Sequence, residues 1–366
     1  MRDVFAANLE LGSDLGASVA VVERGRVVVD LCGGFATQDR TTPWTSDTIT
    51  NVYSTTKTMV ALVALMLIDR GEIAPDDRVA AFWPEFAQNG KDDVTIAHLM
   101  AHMSGLPAWN PPFTLTDLCD WPTAVNRLAE MEPWWKPGTA FGYHMLTYGH
   151  LIGEVVRRVT GQSLGEFFKW EIAEPLGIDF HIGLHPSHHH RVSPVFLGEG
   201  ERMDLSRFSA DSFFIRTHIA PNIGGPENTA SREWRTAEIG AANGHGNARS
   251  VALAQSALTN EGLVNGKQLL SPRTISLVGV QQVEGVDLVL QLPVRFGLGY
   301  ALTSPHHPVH QGRNVWYWSG FGGSRIIHLP DEGITFAYVM NKLQPGAILG
   351  EPRGDALFSA LLASLN

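Results

Sequence analysis

The clearest strand-like patterns lie at the two ends of the chain. Residues 17–35, ASVAVVERGRVVVDLCGGF, hold two β-branched runs broken by Glu23-Arg24-Gly25-Arg26, the pattern of two antiparallel strands joined by a short turn. The chain is therefore expected to open with a hairpin. Near the other end, residues 325–329 and 334–340 read as strands around Pro330-Asp331-Glu332-Gly333, with a closing helix over 354–365. Residues 54–71, STTKTMVALVALMLIDRG, are rich in Ala, Leu and Met and stop at Gly71, which predicts a helix. It is apolar nearly all round, so it belongs in the centre of the molecule. Its most apolar part, residues 59–68, is shorter than the roughly 20 residues a bilayer requires, which makes it a buried helix and not a span.

From about residue 80 to 230 the pattern is helical and loop-rich, with helix candidates at 94–103, 124–131, 148–159 and 164–172. Residues 181–230 are rich in His, Pro, Gly and Ser without periodicity and predict long loops that line or cover a site. A further helix is expected over 249–260. No internal repeat or low-complexity linker is visible. Strands at both ends with helices between them imply that the terminal strands share one sheet. The expected organisation is an α/β domain made of residues 1–80 and 232–366, with a mostly helical domain over 81–231 whose long loops line the active site.

Composition narrows the function. Of 366 residues, 44% are apolar and 17% charged, so the chain should be compact. The formal charge of -10 has the wrong sign for a phosphate backbone, which excludes nucleic acid as the expected partner. Cys32 and Cys119 lie far apart with no C-x-x-C spacing, so no disulfide framework or thiolate metal site is implied. The first residues carry Asp3, Glu10 and Asp14 and no apolar stretch of signal-peptide length, from which a cytoplasmic location is expected, with no membrane partner.

The candidate chemistry starts with Ser54-Thr55-Thr56-Lys57, an S-x-x-K tetrad at the head of the apolar helix. Three residues along a helix put the two side chains on one face, roughly 5–6 Å apart at Cβ. An amine there is partly desolvated, which lowers its pKa and frees a lone pair to take the serine proton. The helix start adds N–H groups and a positive dipole end near a developing oxyanion. The plainer alternative makes Ser54 an N-cap and Lys57 a surface lysine. In 134–149, WWKPGTAFGYHMLTYG, a Pro-Gly turn leads to Tyr143 and then to Tyr148 at a helix start. In 315–324, VWYWSGFGGS, a glycine-rich turn precedes a strand, where backbone can approach a ligand closely.

Three other motifs carry less. Ser163 sits in a G-x-S-x-G sequence, but a helix precedes it where a nucleophile elbow needs a strand, so it reads as a helix-connecting loop. His98 and His102 have zinc-helix spacing, yet Leu99 stands where the metalloprotease glutamate belongs, so they read as core or loop histidines. The histidine run at 185–190 reads as a solvated loop without fixed ligand geometry. Most of the ten tryptophans must be core, with a few available to wall an acyl pocket.

The order S-x-x-K, a tyrosine after P-G-T, and a small-residue triplet before a G-G-S strand resembles the serine β-lactamases of the cephalosporinase type, the DD-peptidases and the family VIII carboxylesterases. His102-Met103-Ser104-Gly105-Leu106-Pro107 is similar to that superfamily's H-T-S-G-L-P. Val159-Thr160-Gly161 and Pro175-Leu176-Gly177 are similar to its V-T-G and P-L-G landmarks, so the likeness runs from about residue 10 to 360. It implies a β-lactamase/DD-peptidase-like fold, with an antiparallel sheet flanked by helices. It also implies Ser54 as nucleophile, Lys57 and Tyr143 sharing the general-base role, and an oxyanion held by the N–H groups of Ser54 and Phe321, with no metal or organic cofactor. Two departures bear on substrate. The family's Y-x-N reads Tyr143-His144-Met145, and its K-T-G or H-T-G strand reads Trp318-Ser319-Gly320, so an amide and a cation are both missing. Trp318, Ser319, Gly320 and Phe321 are then expected to bind substrate, with Trp318 as an apolar wall. A small to medium neutral ester is favoured, because an unpaired buried carboxylate is costly to bind. The alternatives are a penicillin-recognising lactamase or peptidase, or an acyltransferase.

Overall fold

A computed structural model of the chain describes residues 1–200, 209, 211–219, 223–305, 312–347 and 349–365. Its main sheet has eight antiparallel strands: β1 (Gly16–Glu23), β2 (Arg26–Gly34), β3 (Val283–Val286), β4 (Pro293–Phe296), β5 (Ala301–Leu302), β6 (Trp316–Ser319), β7 (Arg325–Leu329) and β8 (Ile334–Met340). Their spatial order is β3-β4-β5-β6-β7-β8-β1-β2. The pairing of β1 with β8, from Ala17 opposite Met340 to Glu23 opposite Ile334, joins the two ends of the sequence in one sheet, as the strand patterns imply. At the β1–β2 turn Arg24 and Gly25 have φ of 46° and 76°, the two positive values a two-residue type I′ hairpin needs.

Five helices matter for the site: α1 (Arg2–Glu10), α2 (Thr56–Asp69), α3 (Thr147–Thr160), α4 (Ala248–Gln255) and α5 (Pro352–Ala363). Alternation along β8 sends its side chains to opposite layers. Phe336 meets Phe358 of α5, ring centres 5.4 Å apart, while Thr335 bonds Thr259 just beyond α4 at 2.8 Å. Next to α4 lie α2 and then α3. Every side chain of α2 from Thr56 to Leu67 is buried, which explains its lack of a polar face. No helix among the described residues is long and apolar enough to cross a membrane.

The structure departs from the sequence reading in several places. Helix α1 precedes the hairpin; only Phe5 of it is fully buried, so its periodicity is weak. Strands β3, β4 and β5 have two to four residues each, too short for an alternation to register. The helix expected over 164–172 is α-helical for Leu164–Phe168 and then widens into a π turn at Lys169–Ala173. The histidine run is not an unstructured loop: Pro186–Arg191 is a 3-10 helix, pinned by Arg191 to Asp179 at 2.6 Å. Of the predicted 181–230 loops, residues 201–208, 210 and 220–222 lie outside the described set. Elsewhere in that stretch a short strand, Val192–Ser193, joins Ile49–Asn51, His245–Gly246 and Phe180–His181 in a small sheet next to α2. Cys32 and Cys119 are free thiols.

A buried ion cluster ties the two ends of the chain to the loop after β6. Arg353 donates to Asp14 at 2.9 Å and to Glu351 at 2.7 Å, and a third N–H reaches the Gly322 carbonyl at 3.2 Å. Tyr338 donates to the same Asp14 oxygen at 2.6 Å. Removing the guanidinium would strand two buried carboxylates. Arg353→Ala is therefore expected to cost about 3–5 kcal/mol, measured by urea unfolding at neutral pH.

Candidate active site

Ser54 enters on a 3-10 turn, Tyr53–Thr55, that runs directly into α2. Tyr53 has φ of 46°, a left-handed conformation that is strained for a bulky side chain. The kink leaves Ser54 partly exposed between buried neighbours. The N-cap of α2 is Thr55, without a side-chain cap bond, and Lys57 is 2% exposed, so the cap-and-surface-lysine alternative does not hold.

The Lys57 Nζ lies 3.2 Å from Ser54 Oγ, 2.8 Å from the Met145 carbonyl and 2.9 Å from the Ala241 carbonyl. None of these partners is a carboxylate, and burial holds the lysine pKa well below its ordinary value. A neutral amine has two N–H groups and one lone pair. The two carbonyls, which only accept, take the N–H groups and leave the lone pair facing the serine hydroxyl.

Tyr143 is buried over this pair. The lysine nitrogen is 4.6 Å from its ring centre, and His102 and Trp318 pack against the ring at 4.9 and 5.0 Å. Burial raises the phenol's pKa, while the Ser54 hydroxyl and the Trp318 N–H pull it back. The indole donates to the phenol oxygen at 3.1 Å. Trp318, expected as an apolar wall, is only 3% exposed and also packs on Phe296 at 5.3 Å, its indole lying between that ring and the tyrosine. Tyr148 is buried against His102. His102 Nδ1 in turn accepts the backbone N–H of His144 at 3.2 Å. His144 bonds the Gly142 carbonyl at 2.8 Å through Nδ1, so its Nε2 accepts from Ser104 at 2.6 Å. Burial lowers both histidines, His144 to about 3, and they stay neutral.

The loop after β6 closes over Ser54. Ser324 Oγ donates to the Val52 carbonyl at 2.7 Å and lies 3.0 Å from Thr55 Oγ1, locking the turn onto the start of α2. Gly320 makes the approach possible: a Cβ there would sit 2.3 Å from the Val52 carbonyl and 3.3 Å from Ser54 N. Among the described residues, the backbone N–H groups of Ser54 and Phe321 have no hydrogen-bond partner. The Phe321 side chain is 41% exposed and meets Tyr53 edge-on at 5.4 Å. Ser319 is buried at the end of β6, opposite Arg325.

Ser54, Lys57, Tyr143 and Trp318 thus meet, with Gly320 and Phe321 on the adjoining loop. Ser163 is elsewhere: it caps Leu164–Phe168 and donates to Glu238 at 2.6 Å. His98 accepts the Thr95 N–H in another helix cap. Sequence reasoning missed the Met145 and Ala241 carbonyls, which any residue could supply, and it read His102 as a core or loop histidine within the H-T-S-G-L-P-like segment. It also missed Asp287, a buried carboxyl that accepts the Tyr143 N–H at 3.0 Å and carries no local motif.

Comparison with known proteins agrees with this architecture. The beta-lactamase family matches residues 1–357, and the chain belongs to that family. Among curated relatives, the esterase/beta-lactamase LipL of Mycobacterium tuberculosis is 32% identical over 352 residues, spanning 93% of this chain and 80% of that protein. Two solved structures, each covering 99% of this chain and 96% of its own, are 37% identical. A penicillin-binding protein homologue from Caulobacter crescentus superposes with a TM-score of 0.92. A family VIII carboxylesterase does so with 0.91.

The Gly320 contact gives a direct test. Gly320→Ala must push the loop away from Ser54 by a sizeable fraction of an ångström, and a misplacement of about 1 Å can cost roughly 100-fold in rate. The expected result is such a loss of turnover with the far-UV circular dichroism retained.

Proposed function

We propose that this chain is a serine carboxylesterase that hydrolyses small to medium neutral esters through an acyl-enzyme. The reading is supported by its family, by relatives named as esterases, and above all by the Trp318 N–H on the Tyr143 oxygen. Where the lactamase pattern has a cation to meet a substrate carboxylate, this site has an indole whose one donor is already engaged.

Ser54 Oγ attacks the ester carbonyl carbon as its proton passes to the Lys57 lone pair. Lys57 is the first acceptor because burial lowers its pKa while raising that of Tyr143, which rests as a protonated phenol. The carbonyl oxygen becomes an oxyanion held by the Ser54 and Phe321 N–H groups. As the intermediate collapses, the carbon–oxygen bond to the alcohol breaks and Tyr143 gives that oxygen its proton. The tyrosinate left behind is stabilised by the Trp318 N–H and the nearby Lys57 ammonium. Water then attacks the acyl-enzyme and yields a proton to the tyrosinate. The acid departs, and Ser54 recovers its own proton from Lys57.

An alkyl fluorophosphonate should place one adduct on Ser54, read by mass spectrometry, and Ser54→Ala should abolish both adduct and turnover. Lys57→Ala and Tyr143→Phe should each lower kcat/KM for 4-nitrophenyl butyrate by roughly 100-fold or more. Because the amine must be unprotonated, activity should rise with pH through the lowered Lys57 pKa, well below the ordinary lysine range. A chromogenic cephalosporin assayed alongside should turn over far more slowly than the ester. Efficient lactam cleavage with negligible ester cleavage overturns the proposal in favour of a penicillin-recognising hydrolase.

A further inference from the structure

Asp287 is a fully buried carboxyl that the reaction above does not use. It sits just past β3 and closes a turn: its N–H donates to the Leu292 carbonyl and its own carbonyl accepts from Gln291, each at 2.9 Å. One side-chain oxygen, Oδ1, accepts three backbone N–H groups, from Val289 and Leu290 at 2.8 Å and from Tyr143 at 3.0 Å. The other, Oδ2, is buried with no partner among the described residues. Leu288 adds a second tie, donating to the Phe141 carbonyl at 3.0 Å. Between the two ties lies Gly142, whose missing Cβ would meet Trp135 at 2.7 Å and Val289 at 3.0 Å. The segment that carries the tyrosine is therefore fastened to the 287–292 turn at consecutive points, and the side-chain tie is a carboxylate.

We propose that Asp287 is a positioning residue for the esterase reaction: ionised, its Oδ1 fixes the Tyr143 backbone so that the phenol meets Ser54 and Trp318, and a proton on Oδ2 loosens that hold. The claim rests on the esterase reading. Oδ1 is saturated by N–H donors, so a proton has only Oδ2 to occupy. Hydrogen bonds to an ionised acceptor are about twice as strong as neutral ones, so protonation weakens all three at once. It also removes a negative charge that holds the Tyr143 pKa up, leaving a weaker base in the tyrosinate. Burial raises the Asp287 pKa to about 6 against the opposing pull of the three N–H bonds, which brings the change into a working range. The other titratable groups nearby are Tyr143 itself, then Lys57, His102 and His144 around it. On the strands leading to and from the turn, Glu284 and Arg295 neutralise each other in a 3.0 Å pair.

The test compares wild type, Asp287→Asn and Asp287→Ala. Asparagine keeps an oxygen acceptor without the charge; alanine removes both. The rates read are Ser54 labelling by a fluorophosphonate and 4-nitrophenyl butyrate turnover, from about pH 4.5 to 9, with circular dichroism as the check on folding. Wild type should lose activity toward acid in a limb to which both Lys57 and Asp287 contribute, the Asp287 part falling near pH 6. Asp287→Asn should lose the part of that limb near pH 6 and stay slowed at neutral pH, and Asp287→Ala should lose on the order of 10- to 100-fold in kcat with KM little changed. Wild-type profiles and rates in both variants overturn the proposal. If neither variant folds, 13C-aspartate spectra of the wild type decide. A buried carboxyl titrating together with the acid limb of labelling supports the role, and one that does not titrate there overturns it. Failure of the wild type to cleave esters sinks the esterase reading, while the labelling profiles still judge Asp287.

Discussion

The site depends on an amine held in the interior without an anion. A buried lysine beside a carboxylate would stay charged and could not act as a base; Lys57 instead faces two backbone carbonyls and a hydroxyl. That arrangement sets demands far from the nitrogen. Helix α2 has to be enclosed along most of its length to keep water out, so its sequence is apolar all round. The two carbonyls come from Met145 and Ala241, nearly a hundred residues apart in sequence, so the middle of the chain and the segment before α4 must both press against the head of the same helix.

The loop after β6 carries the complementary constraint. Its N–H groups can flank Ser54 only if the backbone comes nearer than any side chain permits, and Gly320 with Ser324 provides that approach from opposite sides of the turn. The loop is held from behind by Arg353, which reaches the Gly322 carbonyl from within a cluster containing Asp14, Glu351 and Tyr338. Buried ion clusters of this kind add little net stability over a well-packed apolar core. Here the cluster also supplies a hydrogen-bond donor to the Gly322 carbonyl of the turn, which an apolar side chain could not.

Much of this was legible in the sequence because it is local. The spacing of Ser54 and Lys57, the apolar run behind them, the hairpin at residues 17–35 and the strand pair at 325–340 all announce themselves within short windows. Their assembly into one sheet followed from strands lying at both ends, while the place of Tyr143 beside them followed only from the resemblance of its P-G-T segment to the family's. What stayed hidden has no local signature. Backbone carbonyls look alike at every position, and Asp287 is one aspartate among many until the fold seats it under Tyr143. Trp318 showed a missing cation but not the direction of its indole N–H, because either face of a tryptophan can turn inward. Helix α1 and the short strands β3 to β5 bury too few side chains to imprint a period.

The antiparallel seam between β1 and β8 has a consequence for how the molecule comes into being. Gly16 donates to the Asn341 side chain at 3.1 Å across 325 residues, and the strands on either side are registered to match. Contacts of such long range form late and slowly, since a large loop must close before any of them is rewarded. Ser54 lies early in the sequence, whereas β6, β8 and Arg353, which surround it in the fold, lie more than 260 residues further on. The surroundings of the Ser54 hydroxyl are therefore complete only once the β1–β8 seam has closed.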